Sequence, residues 1–190
     1  MFDIPCVILS GGKSSRMGED KALLPFDGYD TLIEYQYTKL SKMFQKVYIS
    51  SKIKKFSFEA NIILDNNSEF SPMVALESIL KIIPNEKVFI ITVDTPFIQQ
   101  KTIHSLISKS KKDTITIAQT PHKTHNLCGV FPKSLLISIQ KCLKKDIHKI
   151  NYLIHQNSFN TLEFFDENEF LNLNTPQEYQ TSREYYKLYK

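Results

Sequence analysis

The sequence predicts an α/β fold built around a mostly parallel β-sheet. Short apolar runs with strand character alternate with segments of helical periodicity through the first half of the chain. Such alternation is typical of parallel strands joined by right-handed helical crossovers. The length of 190 residues and the hydrophobic fraction of 42% suit one domain with a substantial core. We therefore expect a single domain over residues 1–190.

The elements of the first half have clear local signals. Strands are predicted where the chain is short, apolar and rich in β-branched residues, at 4–9, 46–51, 61–64 and 87–93. The helix after the first strand shows apolar spacings of four and three in Ile33, Tyr37 and Leu40. Thr31 is suited to cap this helix, and Pro72 fits the first turn of the next one.

The second half is less regular. Strands are predicted over 114–119, 127–131 and 161–165, and helices from residue 132 and over 147–156. The last helix has the clearest start signal, with Thr175 as N-cap, Pro176 at the first helical position and Glu178 at the third. No internal repeat, low-complexity tract or linker divides the sequence.

Charge and cysteine content limit the class of partner. The 24 basic and 20 acidic residues give a net charge of +4, which suits a small anionic substrate but is too mild to indicate nucleic acid. The basic runs at 52–55 and 109–112 follow apolar segments and are interpreted as solvated loops. Three cysteines without a CxxC pair predict neither a metal site nor a disulfide framework.

Targeting signals are not evident in the sequence. No apolar run approaches the roughly 20 residues needed to span a bilayer. The N-terminus has no basic lead-in and reaches the first glycines too soon for a signal peptide. We therefore expect a protein of the reducing cytoplasm, with neither a membrane nor a nucleic acid as partner.

A glycine-rich, cationic loop follows the first predicted strand. Gly11 and Gly12 let the backbone approach a ligand and turn N–H groups toward an anion. Lys13, Arg16 and Lys21 add three cations within nine residues. These features predict a polyphosphate ligand, with a solvated glycine turn as the alternative.

Two familiar phosphate motifs are absent from this loop. A P-loop needs a glycine where this chain has Val7, and the dinucleotide fingerprint GxGxxG does not occur. The polyphosphate prediction therefore rests on the glycines and cations themselves.

Polar residues follow each predicted strand of the first half. In parallel sheets, ligands bind beyond the carboxyl ends of the strands, where Ser50, Asp65 and Asp94 stand together with the glycine loop. A carboxylate at the end of a buried strand must be solvated, paired or bound to metal. Asp94 is alternatively a cap for a helix beginning at Pro96, and Asp65 a turn residue.

The segment from Leu9 to Lys21 reads LSGGKSSRMGEDK. It resembles the LAGG-x-S-x-RMG-x-DK signature of molybdenum-cofactor guanylyltransferases. Their relatives, the cytidylyl- and sugar-nucleotidyltransferases, carry variants of the same loop. The resemblance spans nearly the whole chain, although the middle third diverges. It implies a three-layer α/β/α sandwich that is Rossmann-like and similar to nucleotide-diphospho-sugar transferases.

The resemblance implies a specific reaction. GMP would pass from GTP to the molybdenum–molybdopterin cofactor, giving the guanine dinucleotide cofactor and pyrophosphate. The N-terminal half would bind GTP and the C-terminal half molybdopterin, with cofactor-delivering or acceptor proteins as further partners. Gly11 and Gly12 resemble the guanylyl LAGG form rather than the cytidylyl LAAG form. The alternatives are a cytidylyl- or sugar-phosphate nucleotidyltransferase and a non-catalytic nucleotide-binding module.

Roles in catalysis follow from the same resemblance and from charge. Lys21 is assigned to the α-phosphate, and Lys13 and Arg16 to the leaving pyrophosphate, because catalysis of phosphoryl transfer is mainly positioning and charge stabilisation. Asp94 is assigned to Mg²⁺. The residues expected to bind nucleotide or pterin are Leu9, Ser10, Gly11, Gly12, Lys21, Ser50, Asp65, Asp94, Asn172 and Asn174.

The assignments away from the phosphates concern the guanine and the pterin. Asp65 matches by position an aspartate that lies near the guanine ring in the resembled family. A carboxylate can accept hydrogen bonds from N1–H and N2–H₂ of guanine together. Ser50 stands where a relative has Asn. Asn172 and Asn174 belong to a segment that resembles the family's N-x-N-T-P segment, which lies near the pterin in the family. Alternatively, Asn174 only starts the last helix.

The histidines in the divergent part carry no assigned role. His122 and His125 are interpreted as solvated residues of a loop between strands, where family members often have His-Pro-Thr. Together with Cys128 they do not form a metal motif.

Overall fold

A computed structural model describes residues 1–11, 20–65, 71–173, 175 and 177–179. The predicted site residues Gly12, Lys13, Arg16 and Asn174 lie outside these residues, as does Pro176. The strands are β1 (Cys6–Leu9), β2 (Val47–Ser51), β3 (Asn61–Leu64), β4 (Lys87–Thr92), β5 (Ile115–Thr120), β6 (Lys123–Pro132) and β7 (Phe159–Glu163). The α-helices are α1 (Leu32–Ser41), α2 (Pro72–Ile82), α3 (Gln100–Ser108), α4 (Leu135–Leu143) and α5 (Ile150–His155).

The seven described strands form one sheet in the order β3-β2-β1-β4-β6-β5-β7. β1 pairs in parallel with β2 and β4, β2 with β3, and β5 with β7. β6 is antiparallel to both of its neighbours, β4 and β5. The prediction of a mostly parallel sheet is therefore confirmed.

Helices cover both faces of this sheet. Alternate residues of β1 point to opposite faces, so Cys6 and Ile8 join one apolar cluster while Val7 and Leu9 join another. Helices α1 and α3 pack in the first cluster, and α2, α4 and α5 pack in the second. This arrangement confirms the three-layer α/β/α sandwich. None of the described helices is long and apolar enough to span a membrane.

Local capping signals are confirmed. The Thr31 hydroxyl accepts a hydrogen bond from Glu34 N at 3.2 Å, and Ser71 caps α2 in the same way. Thr175 and Glu178 form a reciprocal capping box, in which the Glu178 N–H donates to Thr175 Oγ1 and the Thr175 N–H donates to Glu178 Oε2.

Helix α3 begins at Gln100, where no helix start was predicted from the sequence. Its N-cap residue, Gln99, makes no side-chain cap. Instead, the Gln99 N–H donates to Glu169 Oε2 at 3.1 Å, across 70 residues of sequence. The buried Glu169 also accepts a 2.6 Å hydrogen bond from Thr102 Oγ1. Because a distant carboxylate caps the helix, no local signal marks its start.

Several boundaries in the second half differ from the predictions. β6 begins four residues before the predicted 127, and β7 lies at Phe159–Glu163 rather than 161–165. Helix α4 begins at Leu135 rather than 132, and α5 spans Ile150–His155 rather than 147–156. The interpretation of His125 as a loop residue is wrong, because it lies within β6 and pairs with Ala118 of β5. His122 does lie in the turn between β5 and β6.

Gly129 allows β6 to approach β5 closely. A Cβ atom built on Gly129 would lie 2.1 Å from the Thr116 carbonyl oxygen and 2.8 Å from Ile117 Cα. These are backbone atoms in the middle of the sheet, so they cannot move aside cheaply. We expect Gly129→Ala to lower the free energy of unfolding by about 3 kcal/mol, measured by urea denaturation.

Gly28→Ala is the matched control for this prediction. Gly28 has φ of 81°, and nothing lies within 4 Å of the position its Cβ would occupy. Its substitution should cost only the left-handed backbone conformation, about 1 kcal/mol. If the two variants unfold at the same urea concentration, close strand approach at Gly129 is not the cause.

Candidate active site

The carboxyl ends of the four parallel strands β1 to β4 lie side by side. Leu9 at the end of β1 is in register with Ser50 of β2 and with Thr92 of β4. Asp65 follows β3, and its N–H donates to the Ser51 carbonyl at 3.1 Å. The sheet therefore brings the predicted residues of these strands to one edge.

A cavity of about 170 Å³, here called the rim pocket, lies at this edge. Four of the predicted site residues line it: Leu9, Gly11, Ser50 and Asp65. The other lining residues had no predicted role in a site, and the run that contains Lys52 was interpreted as a solvated loop. They are Lys52, Ser71, Pro72, Ala75, Thr92 and Leu127.

Asp65 is held in the rim pocket by its neighbours. Ser50 Oγ donates a 2.8 Å hydrogen bond to Asp65 Oδ1. Burial raises the pKa of Asp65, whereas the Ser50 hydrogen bond and the charge of Lys52 lower it. The other carboxylate oxygen, Oδ2, faces Gly11, at which a Cβ would lie 3.9 Å away. An oriented carboxylate in such a pocket can accept two adjacent donors from a ligand.

The buried hydroxyl of Ser10 lies at the same edge. Ser10 is 4% exposed, and within the described part of the chain its Oγ has no hydrogen-bond partner. A buried polar group without a partner carries a free-energy penalty that a ligand atom can remove.

Lys21 and Asp94 form an ion pair across 73 residues of sequence. Lys21 Nζ lies 2.5 Å from Asp94 Oδ2, and both side chains are largely buried. Lys21 begins a short 3-10 turn, capped by Asp20, which accepts from the Ala22 N–H. Asp20 also pairs with Lys55. Two ion pairs thus fix the turn that carries Lys21 against the strand ends.

Asp94 does not cap a helix. Helix α3 begins only at Gln100, and the Asp94 carboxylate pairs with Lys21 instead. The alternative of a cap for a helix at Pro96 is therefore wrong. The Asp94 carbonyl accepts the Leu173 N–H at 3.0 Å, which places Asp94 beside the C-terminal segment.

The donor set at Asp94 fits a metal shared with a ligand. No group of three or more His, Cys, Asp or Glu side chains among the described residues could hold a metal alone. Magnesium commonly uses one or two protein carboxylates and completes its shell with phosphate oxygens and water. The single carboxylate of Asp94 fits that pattern and does not fit a closed protein cage.

A second and larger cavity, here called the outer cavity, has a volume of about 680 Å³. It lies between the β5–β6 hairpin and the C-terminal segment, which here means the described residues from Glu167 to Glu178. Its lining includes Thr120, His122, Lys123, His125, Glu167, Phe170, Leu171, Asn172, Thr175, Gln177 and Glu178. Asn172 is thus the predicted pterin residue that the structure places in a cavity.

His125 lines the outer cavity, although its place in the sequence indicated a solvated loop residue. Its ring stacks on Phe170 with centroids 4.4 Å apart. Burial and the nearby charge of Lys123 lower the pKa of His125 to about 4. The imidazole is therefore neutral at pH 7.

Lowering the pH should destabilise the fold because of this neutral histidine. The pKa of His125 is about 4 in the fold and near its ordinary 6.5 in the unfolded chain, so the unfolded chain binds more protons between these values. Stability should fall as the pH drops from 6.5 toward 4. We expect His125→Gln to lose less stability than wild type over this pH range, as measured by urea denaturation. The exposed His155→Gln should behave like wild type, and equal slopes for both variants would contradict the assignment.

Comparison with known proteins identifies the family. The sequence profile of the MobA-like NTP transferase domain matches residues 6–158. The chain belongs to the MobA-like NTP transferase family. Membership makes it a nucleotidyltransferase, so the alternative of a non-catalytic nucleotide-binding module is excluded.

Curated relatives of this MobA-like chain extend the match beyond the profile. The molybdenum cofactor guanylyltransferase of Campylobacter jejuni subsp. doylei is 39% identical over 181 residues, which is 94% of each chain. That of Helicobacter pylori strain G27 is 36% identical over 184 residues, covering 94% of this chain and 90% of the relative.

Solved structures share the fold of this MobA-like chain. A protein of Aquifex aeolicus VF5 has a TM-score of 0.76 at 32% identity, covering 91% of this chain and 94% of its own. Molybdopterin-guanine dinucleotide biosynthesis protein A from Archaeoglobus fulgidus has a TM-score of 0.82 at 19% identity, covering 97% and 99%. At that identity the second match supports the fold alone.

Proposed function

We propose that this MobA-like enzyme transfers GMP from GTP to the molybdenum–molybdopterin cofactor, giving the guanine dinucleotide cofactor and pyrophosphate. The names of the curated relatives support this reaction. The observation that carries it is the segment at the end of β4. Thr92 lines the rim pocket, and Thr95 donates a 3.1 Å hydrogen bond to Asn172 of the outer cavity. On this proposal Asp94, which lies between Thr92 and Thr95 in the chain, would stand where the ligands of the two cavities meet.

The rim pocket is assigned to the guanosine part of GTP. Asp65 would accept N1–H and N2–H₂ of guanine, and Ser50 keeps its carboxylate in place. The backbone of Leu9, Gly11 and Gly12 would contact the base or ribose. A ribose hydroxyl or phosphate oxygen would give the buried Ser10 hydroxyl its partner.

The triphosphate is assigned to Lys21, Lys13 and Arg16. Lys21 would contact the α-phosphate, where negative charge grows in the transition state. Lys13 and Arg16 would hold the leaving pyrophosphate. Asp94 would hold Mg²⁺, which supplies positive charge to the phosphate oxygens. The ion pair with Asp94 keeps Lys21 at this position before substrate arrives.

The outer cavity is assigned to the molybdopterin cofactor. Asn172 lines it, and Asn174 belongs to the same predicted segment. On this proposal residues 1–190 act as one domain, with GTP bound by the N-terminal half and molybdopterin by the C-terminal half. We place the reaction in the cytoplasm, with cofactor-delivering or acceptor proteins as further partners.

A pyrophosphate-release assay with GTP, Mg²⁺ and a molybdopterin-loaded carrier tests this reaction. Release should require all three components and should be much slower with ATP or CTP. Preferred turnover of CTP, or of a sugar phosphate as acceptor, would instead show a cytidylyl- or sugar-nucleotidyltransferase.

No histidine should be needed as a general base. The attacking group is a phosphate monoester whose second pKa is about 6, so it is largely dianionic at neutral pH. The turnover rate should therefore rise to a plateau near neutrality. The double variant His122→Ala, His125→Ala should lose less than about a hundredfold in turnover at saturating substrates, since larger losses are typical of a missing base. A greater loss would show that one of the two histidines takes the proton.

A further inference from the structure

Helix α1 carries a buried side-chain amide that hydrogen-bonds the segment at the end of β4, residues 92–98. Gln36 is 0% exposed, and its Nε2 donates 3.2 Å hydrogen bonds to the carbonyl oxygens of Thr92 and Thr95. These two carbonyls stand on either side of Asp94 in the chain. Gln36 Oε1 is buried and has no partner among the described residues. The amide is thus held in place by the segment it bonds.

One turn further along α1, Lys39 reaches the same segment. Its Nζ donates to the carbonyl oxygens of Pro96 at 2.8 Å and Ile98 at 2.7 Å. Burial lowers the pKa of Lys39 to about 8, although the charge of Glu169 opposes that shift. Burying an ammonium group carries a penalty that an apolar side chain at this position would avoid.

The opposite side of the segment contacts the C-terminal part of the chain. The Leu173 N–H donates to the Asp94 carbonyl, and Thr95 Oγ1 donates to Asn172. The backbone around Asp94 is therefore fixed from two directions, by α1 on one side and by residues 172–173 on the other. The α1 side consists of Gln36 and Lys39, here called the α1 clamp.

We propose that the α1 clamp positions Asp94 for metal and phosphate binding. Gln36 and Lys39 bond backbone carbonyls on both sides of Asp94, so both act through the backbone they hold rather than by touching substrate. The inference rests on the proposed function, in which Asp94 holds Mg²⁺. Groups that orient a metal ligand commonly change metal affinity or activity 10- to 100-fold when removed.

The test compares the affinity for GTP with and without metal. Isothermal titration calorimetry gives the dissociation constant of GTP in Mg²⁺ and in EDTA, and the ratio of the two is the gain due to metal. Lys39→Met removes the ammonium group and keeps the apolar stem. We expect it to reduce the metal gain about tenfold and to lower kcat, while GTP affinity in EDTA changes less than about twofold because the rim pocket is intact.

Lys42→Met is the matched control. Lys42 is an exposed lysine at the C-terminal end of the same helix, and its substitution should leave the metal gain and kcat unchanged. If Lys39→Met does not fold, as judged by circular dichroism, Gln36→Met takes its place. It removes the two 3.2 Å hydrogen bonds to the Thr92 and Thr95 carbonyls and should also reduce the metal gain.

Asp94→Ala separates the inference from the proposed function. If Asp94→Ala loses the metal gain and a folded clamp variant keeps it, the clamp is only structural and the inference is wrong. If Asp94→Ala itself keeps the wild-type gain, the metal site lies elsewhere and the proposed role of Asp94 fails first.

Discussion

Lys21→Ala should lower turnover about 10²- to 10³-fold while changing GTP affinity much less. The proposed function assigns Lys21 to charge that grows in the transition state, and loss of one such donor typically costs this much in rate. Its removal also leaves Asp94 without its 2.5 Å partner, so metal affinity should hold or rise. Turnover against Mg²⁺ concentration at saturating GTP measures both effects.

Asp94→Ala should fail in a different way. It removes the carboxylate assigned to Mg²⁺, so its defect should shrink as Mg²⁺ is raised, whereas Lys21→Ala should not respond. A wild-type Mg²⁺ curve for Asp94→Ala would show that the carboxylate serves only to hold Lys21. Partial rescue of both variants by Mg²⁺ would mean that Lys21 acts on metal binding and not on the transition state.

Asp65→Ala should abolish most of the preference for guanine. Each hydrogen bond to a charged group contributes about 1.5–3 kcal/mol, so loss of two should reduce GTP affinity by about a hundredfold or more. ATP, which offers no N1–H, should be affected little. Inosine triphosphate lacks only the N2 amino group and should bind wild type more weakly than GTP does. Asp65→Ala should bind inosine triphosphate and GTP equally well.

Ser50→Ala is the matched control for Asp65. It keeps the carboxylate and removes the hydroxyl that orients it and lowers its pKa. We expect a smaller loss of GTP affinity that grows as the pH falls, because Asp65 then protonates more readily. An unchanged GTP-to-ATP ratio in Asp65→Ala would show that another group reads the base.

Features decided by neighbours in sequence were predictable. The caps at Thr31 and Ser71 depend on residues two or three positions away. The gathering of Ser50, Asp65 and Asp94 followed from parallel topology, which places all strand ends of one direction at one edge. The ion pair between Lys21 and Asp94 did not follow, since it depends on how a turn packs 73 residues away.

Features decided by distant partners were missed. Helix α3 has no local start signal because Glu169 caps it. The first part of β6 is polar around His125, so no apolar pattern marked it as strand, although pairing with β5 makes it one. The outer cavity is a product of that pairing and of the C-terminal segment, which no single stretch of sequence contains.

The contacts of residues 169–173 also set an order of assembly during synthesis. A chain emerging from the ribosome completes β1 to β4 long before Glu169 and Leu173 are available to cap α3 and bond the Asp94 carbonyl. Until then, among the described contacts, the segment after β4 is held by helix α1 and by the Lys21–Asp94 ion pair. The nascent protein can thus form most of the rim pocket early, before Leu127 of β6 completes its lining, while the point at which the two proposed substrates would meet is finished last.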